Sequence, residues 1–204
     1  MKYTGPKARL CRREGFNLFG SDKYQKIMSR RSTIPGAHGG KRQGKFTEYA
    51  KQLREKQKLK RMFGLSEKQF RRTFDLAESK PGVTGENLLR LLEQRLDNVV
   101  YRAGLAVTRM QARQFVSHGL FLLNGRRVDI PSIMVRVGDK IEVRQKSQKS
   151  PVFAENLEVN EKYRAPSWLK VNGKSLSIEI ENNPSIEHCE QAVNPQMVVE
   201  FYSR

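Results

Sequence analysis

Residues 108–128 read TRMQARQFVSHGLFLLNGRRV, and two signals in this stretch decide the fold. Thr108, followed three residues later by Gln111, is the signature of a capped helix start. The hydroxyl accepts an orphan backbone N–H, and the glutamine side chain reaches back to the cap residue. Ala112, Phe115 and Val116 then share one side at helical spacing, and Gly119 stops the helix. Phe121-Leu122-Leu123, Asn124-Gly125 and Arg126-Arg127-Val128 follow directly. Asn-Gly between two β-prone runs marks a two-residue hairpin, because both central residues of a type I′ turn need positive φ. A capped helix leading at once into a tight hairpin points to a small α+β unit.

Upstream, Leu88, Leu89, Leu91, Leu92, Leu96, Val99 and Val100 make a wide apolar stripe. It predicts one helix over 86–102, closed by Gly104. Downstream, Ile130-Pro131-Ser132 bends the chain, Ile133 to Val137 reads as extended, and Gly138-Asp139 is a turn. Lys140 to Arg144 alternates as a strand should. Residues 145–165 are polar, with a short helix predicted near 152–159. Leu176 to Ile180 alternates again. Met197 to Tyr202 is apolar and β-prone, and is expected to dock on a sheet or helix.

Nearer the N-terminus, Thr47 and Gly64 bracket a helix over 47–63, with Tyr49, Leu53, Met62 and Phe63 on its buried side. Ser66-Glu67-Lys68-Gln69 is a second capping box, and Phe70, Phe74 and Ala77 follow at i, i+4 and i+7. Lys80-Pro81-Gly82 ends that helix. Residues 1–46 have weak periodicity and are punctuated by glycine and proline. They read as an extended basic arm that orders only once its charge is neutralised.

The chain has 204 residues, 39 Lys/Arg against 21 Asp/Glu, and a formal charge of +18. The charge is uneven. Residues 1–90 carry 23 cations against 8 acids, residues 91–150 carry 11 against 5, and residues 151–204 carry 5 against 8. A merely soluble surface mixes signs along the chain, whereas a field this large favours a phosphate-rich partner. No apolar run approaches the ~20 residues of a membrane span. The N-terminus lacks a hydrophobic signal core, and Cys11 and Cys189 stand far apart. These features point to a cytoplasmic protein with no membrane partner and no disulfide framework.

The chemistry of catalysis is missing from the sequence. There is no phosphate-binding glycine loop, no G-x-G-x-x-G and no G-x-S-x-G. His38, His118 and His188 are isolated from cysteines and carboxylates at metal spacing, so no metal and no cofactor are expected. Cys189 beside His188 resembles a nucleophile pair only superficially, since neighbours on a strand face opposite ways. The reading is a binding protein with no small-molecule substrate, not an enzyme.

The candidate RNA-binding residues fall in four groups. The arm supplies Arg12, Arg13, Arg30, Arg31, Lys41, Arg42 and Lys45. The 47–63 helix supplies Lys51, Arg54, Lys58 and Arg61 at i, i+3, i+7 and i+10, a stripe expected to be exposed and widened by Lys56 and Lys60. The Thr108 helix offers Arg109, Gln111 and Arg113 near its start, where the helix dipole favours phosphate. His118 can meet a phosphate or cap that helix. The hairpin tip projects Asn124, Arg126 and Arg127, guanidiniums suited to phosphate oxygens or a stacked base. Aromatics are 8% of the chain and sit mostly on helix stripes, so folded RNA shape is the expected target.

Residues 95–143 resemble the small RNA-binding domain first described in small-subunit ribosomal protein four. The residues that carry the likeness are Arg95-Leu96-Asp97-Asn98, Thr108 through Gln114, Val116 through Gly119, Asn124 through Val128, Ile130-Pro131-Ser132 and Gly138 through Ile141. Lys2 through Pro6, Cys11 through Gly15, Tyr49 with Gln52 through Lys58, and the ending Val199 through Arg204 extend it. The whole chain resembles the bacterial-type family of that ribosomal protein. Of the four-cysteine zinc knuckle found in many relatives only Cys11 is present, so the resemblance implies no zinc. Leu120 stands where relatives often have a second histidine, and Ile186 to Cys189 departs from their Arg-Glu-Asp pattern.

The resemblance implies an α+β protein: a mainly helical first domain with a basic N-terminal arm, and a small RNA-binding domain of two helices and a short, strongly turned β-sheet. The expected division is an arm over 1–46, a helical domain from 47–92 with 180–204, and the small domain over 93–179 with its core at 95–143. It implies direct binding to small-subunit ribosomal RNA at a multi-helix junction, and nucleation of subunit assembly. It also implies a place beside ribosomal protein five and other small-subunit proteins. The messenger RNA would enter the subunit nearby, and the contact would bear on decoding accuracy.

Overall fold

The structure is a computed structural model that describes residues 3–37, 39–40, 45–148, 150–159, 163–173 and 175–203, with backbone only at 154 and 157–159. The chain forms two units, residues 1–85 with 191–204 and residues 86–190.

The first unit is helical. The segment expected as an extended arm holds α1 (Lys7–Glu14) and α2 (Asp22–Arg30). Cys11 and Leu18 are fully buried, and Glu14 and Phe16 pack against Arg61 and Lys58, so the segment is docked rather than extended. Gly15 ends α1 in the left-handed region at φ 64°. The capping signals act as read. Thr47 Oγ1 accepts the N–H of Ala50 at 3.2 Å and starts α3 (Glu48–Met62). Ser66 and Gln69 form a reciprocal capping box at the head of α4 (Glu67–Glu78), whose Phe70, Phe74 and Ala77 are buried.

The terminal segment is not a strand. Asn194 Oδ1 accepts the N–H of Gln196 at 3.0 Å, Pro195 occupies the first turn, and α10 (Pro195–Tyr202) runs from there. A capped, proline-started helix overrides the β preference of Val198 and Val199 because its apolar side is buried on α3 and α4. Val198 is fully buried, and the Tyr202 ring lies 4.6 Å from that of Phe74. Tyr49, expected in the core, is instead 50% exposed at the rim of this contact, 5.7 Å from the Phe201 ring.

The second unit begins within α5 (Thr84–Glu93). The single helix expected over 86–102 is broken: Arg95 turns extended, and α6 (Leu96–Arg102) starts afresh. The segment around Met134 captures the backbone groups that an unbroken helix would use. Val135 N–H donates to Gln94 O at 2.9 Å, and Leu96 N–H donates to Ile133 O at 2.8 Å. After α7 (Arg109–Ser117) come β1 (Phe121–Leu123), β2 (Arg126–Val128), β3 (Lys140–Val143), α8 (Gln145–Gln148), α9 (Pro151–Val159), β4 (Leu169–Asn172) and β5 (Ser177–Ile180).

The strands form one antiparallel sheet in the order β2-β1-β3-β5-β4. The 145–180 stretch therefore completes the sheet: Ile178 pairs with Ile141, and Phe153 packs edge-on to Phe121 at 6.2 Å. Leu96, Val99, Val100, Ala112, Val116, Phe121, Ile141 and Trp168 form the core between helices and sheet. Asn124 (φ 49°) and Gly125 (φ 79°) make the β1–β2 turn that Asn-Gly demands.

Candidate nucleic-acid interface

In the first unit, α1, the loop after α2, and α3 enclose a cleft of about 560 Å³. It gathers Arg12, Arg13, Lys51, Arg54 and Lys58, five of the residues singled out from sequence, with Glu14, Glu55 and Phe46. Arg12 anchors the loop, donating from Nε and Nη2 to Thr33 O at 2.9 and 2.6 Å. Arg13 donates to Pro35 O at 3.3 Å. Arg30 and Arg31 at the end of α2, and Lys45 before α3, are exposed. Lys41 and Arg42 lie outside the described residues, as does His38.

The α3 stripe is less open than its periodicity suggests. Lys51 is exposed and paired with Glu48 at 2.6 Å. Arg54 and Arg61 are half-buried against Glu14, whose side chain is 2% exposed. Burial pushes the Glu14 carboxyl up, against the opposing pull of Arg61 and Arg54. Lys58 donates to Ala192 O and lies 5.2 Å above the Phe16 ring.

Lys56 does not widen the stripe. It is buried, 2.7 Å from Glu67 and 4.6 Å above the Phe201 ring, and Lys60 meets the same Glu67 at 2.6 Å. Two consecutive lysine-rich turns thus serve different ends. One side faces the cleft, and the other holds α4 and α10.

In the second unit the donors at the start of α7 turn inward. Thr108 caps the helix as expected, but Gln111 Oε1 accepts from Val107 N–H at 2.7 Å and its Nε2 donates to Asn156 at 3.3 Å. Arg109 donates to Asn98 and to Glu190, both at 2.9 Å, with its guanidinium 4.7 Å from the Tyr101 ring. Arg113 stands 3.6 Å from Asp97. These contacts belong to a buried ionic network in which Glu93 holds Asn98 and Arg102, and Arg95 forks onto Asp97 at 3.1 and 2.9 Å. Arg109 and Arg113 are half-buried, because Glu190 and Asp97 draw them in.

Exposed cations are spread over this unit, Arg136, Lys140, Arg164 and Lys170 among them, and two guanidiniums converge at the far end of α7. His118 is exposed at the helix C-cap. The Arg127 guanidinium lies so close over Gly119 that a Cβ there would meet its Nε at 2.6 Å, and Arg144 donates to Gly119 O at 3.1 Å. Arg126 is exposed on the opposite face of β2 from Arg127, and Lys146 is exposed two residues after Arg144. Sequence does not single out Arg144, because the alternation of Lys140 to Arg144 presents it as the end of a strand. Only the hairpin register reveals that it converges with Arg127.

Asn124 does not project from the tip. Its Nδ2 donates to Asp139 and its Oδ1 accepts from Lys140 N–H, both at 2.8 Å, tying the hairpin to the turn before β3.

Nothing resembling a catalytic centre accompanies these surfaces among the described residues. His188 ends a 3-10 turn (Ile186–His188), not a strand, and lies 3.2 Å from the Ser167 hydroxyl. The Cys189 thiol donates to Ser185 O at 3.4 Å, and burial pushes its pKa up to about 12. No group of three or more His, Cys, Asp or Glu among the described residues is placed to hold a metal.

Comparison with known proteins bears on these surfaces. Residues 2–93 match the family described as ribosomal protein S4/S9 N-terminal domain, and residues 94–141 match the S4 domain. The chain is 52% identical to small ribosomal subunit protein uS4 of Halothermothrix orenii over 207 aligned positions, covering 100% of this chain and 99% of that protein. It is 49% identical to the uS4 protein of Solidesulfovibrio magneticus over the same shares. With the uS4 protein of Borreliella burgdorferi it shares 48% identity over 97% of this chain and 96% of that one.

Proposed function

The chain belongs to the uS4 family of small ribosomal subunit proteins, and on that footing we propose that it binds small-subunit ribosomal RNA directly and clamps a multi-helix junction. It is a structural constituent of the small subunit rather than an enzyme. As a primary binder it would nucleate assembly of the subunit body. Beside ribosomal protein five, near where messenger RNA enters, it would contribute to translational accuracy in the cytoplasm.

The observation that carries the reading is the presence of two basic clusters on two separately folded units. One is the cleft with Arg12, Arg13, Lys51, Arg54 and Lys58, and the other surrounds Gly119 with Arg127 and Arg144, next to the exposed Arg126 of the same hairpin. A single cationic face suits one duplex. Two faces joined by one chain suit several helices held at once, because the second contact forms at high effective concentration. Guanidiniums and ammonium groups without base-reading aromatics in the second cluster favour recognition of backbone and shape.

Hydroxyl-radical footprinting of the full chain on naked small-subunit RNA tests this. Protection is expected in two separated groups of nucleotides. Reversal at Arg126 and Arg127 should abolish one group and reversal at Arg13 and Lys51 the other. Protection confined to one continuous duplex, or none, would contradict it.

A further inference from the structure

We infer that the cleft of the first unit receives one unstacked nucleotide, with its base laid on Phe46 and its phosphate on Arg13 and Lys51. This rests on the RNA-binding reading of the same cleft and goes beyond it by naming what enters.

A slot for bare phosphate would be cationic throughout, and this one is not. Phe46, Ile34 and Met197 line it together with the cations, and Glu14 and Glu55 lie among them. The carboxylates disfavour an unaccompanied phosphate, while the apolar lining offers nothing to one. The carboxylates already have partners, Glu55 in Asn194 N–H and Lys58, and Glu14 in Arg54 and Arg61. What remains to be matched is an anionic end and a flat apolar face, and a nucleotide with its base out of the stack supplies both. At about 560 Å³ the cleft falls within the usual range of small-ligand sites.

Phe46 supplies the second argument. It is 54% exposed and directly precedes the Thr47 cap of α3. An apolar residue there ordinarily staples onto the fourth helical position. That position is Lys51, which is exposed and paired with Glu48. Helix entry therefore does not account for a phenylalanine at 46. The Lys51–Glu48 pair is a surface contact of the kind that contributes little, so a phosphate can replace the carboxylate. Stacking on aromatic side chains is the general means by which proteins hold unpaired bases.

The test uses the full chain and naked small-subunit ribosomal RNA. Phe46→Ala should weaken binding roughly tenfold, as loss of one base–aromatic stack does. The dependence on salt should stay unchanged, since no charge is removed. Phe46→Trp should restore affinity, and its indole fluorescence should be quenched on RNA addition, over the background of buried Trp168. Lys51→Gln should instead flatten the salt dependence. Wild-type affinity in Phe46→Ala would overturn the inference, as would an unquenched Phe46→Trp. An affinity loss matched by an equal loss of thermal stability would overturn it too. If the unaltered chain shows no salt-dependent binding at all, the reading of the cleft fails instead.

Discussion

Lys56 Nζ lies 2.7 Å from Glu67 Oε1, and the same carboxylate accepts from Lys60 at 2.6 Å and from the Tyr202 hydroxyl at 2.8 Å. One acid thus joins α3, α4 and α10. Burial raises its carboxyl, but the hydrogen bonds from Lys56, Lys60 and Tyr202 outweigh that and bring it to about 2. The folded value lies below the ordinary 4.5, so the contribution is in full force above about pH 4.5 and fades as the pH falls toward 2. Glu67→Gln should melt lower than the parent at pH 7. Its melting temperature should also fall less steeply between pH 4.5 and 2, where parallel curves would contradict the assignment. Glu14 has the opposite sign. Burial raises it, so its charge costs stability at neutral pH, and acidification through the raised value relieves that cost.

Asn124 combines a left-handed backbone with two side-chain hydrogen bonds to the turn before β3. Asn124→Gly keeps the backbone freedom and loses the bonds, at about 1 kcal/mol each. Asn124→Ala adds the left-handed penalty of about 1–2 kcal/mol. Denaturant midpoints should therefore fall in the order parent, Gly, Ala. Equal midpoints for Gly and Ala would show that the turn relaxes out of the left-handed region.

Charge reversal should separate binding from folding at the hairpin but not on α3. Arg126→Glu lies at an exposed position, where substitutions usually stay within about 0.5 kcal/mol. It should weaken RNA binding while leaving the melt unchanged. Lys58→Glu sets a carboxylate against Ala192 O and beside Glu55, and should lower both. The two variants, compared by calorimetry and filter binding, distinguish an exposed stripe from one that also holds α10.

Both cysteines should resist alkylation in the folded chain. Cys11 and Cys189 are buried, and burial raises both thiols, Cys189 to about 12. Iodoacetamide at pH 8 should label neither until denaturant is added. Rapid labelling of Cys189 without denaturant would show that the segment around the 3-10 turn opens.

Local signals were the legible part of the sequence. Thr47, Ser66 and Thr108 each announced a helix start, and Asn124-Gly125 announced the hairpin, because a cap or a tight turn is decided within four residues. What required partners distant in the chain was hidden. Lys56 stands about 200° around the helix from Lys58, so spacing alone sets it off the stripe, but only the fold shows that Phe201 covers the one and Ala192 meets the other. Gln94 and Arg95 carry no helix breaker, and only the passage of Met134 beside them interrupts the stripe. The glycines of the arm point to an extended chain, and only the fold shows how completely Cys11 and Leu18 are buried. At the C-terminus Val198 and Val199 favour a strand, and it is the Asn194-Pro195 start together with burial on the neighbouring helices that makes the segment helical. Of the candidate site, charge and hairpin were readable. The inward turn of Arg109 and Gln111 was not, since Glu190 and Asn156 lie 81 and 45 residues away.

The central claim is that the chain holds RNA by neutralising several phosphates at once, and a salt titration measures that directly. For about 6–10 phosphate contacts, affinity for small-subunit ribosomal RNA should fall by about three to five orders of magnitude between 50 and 200 mM salt. A binding constant that barely moves over that range would contradict the account.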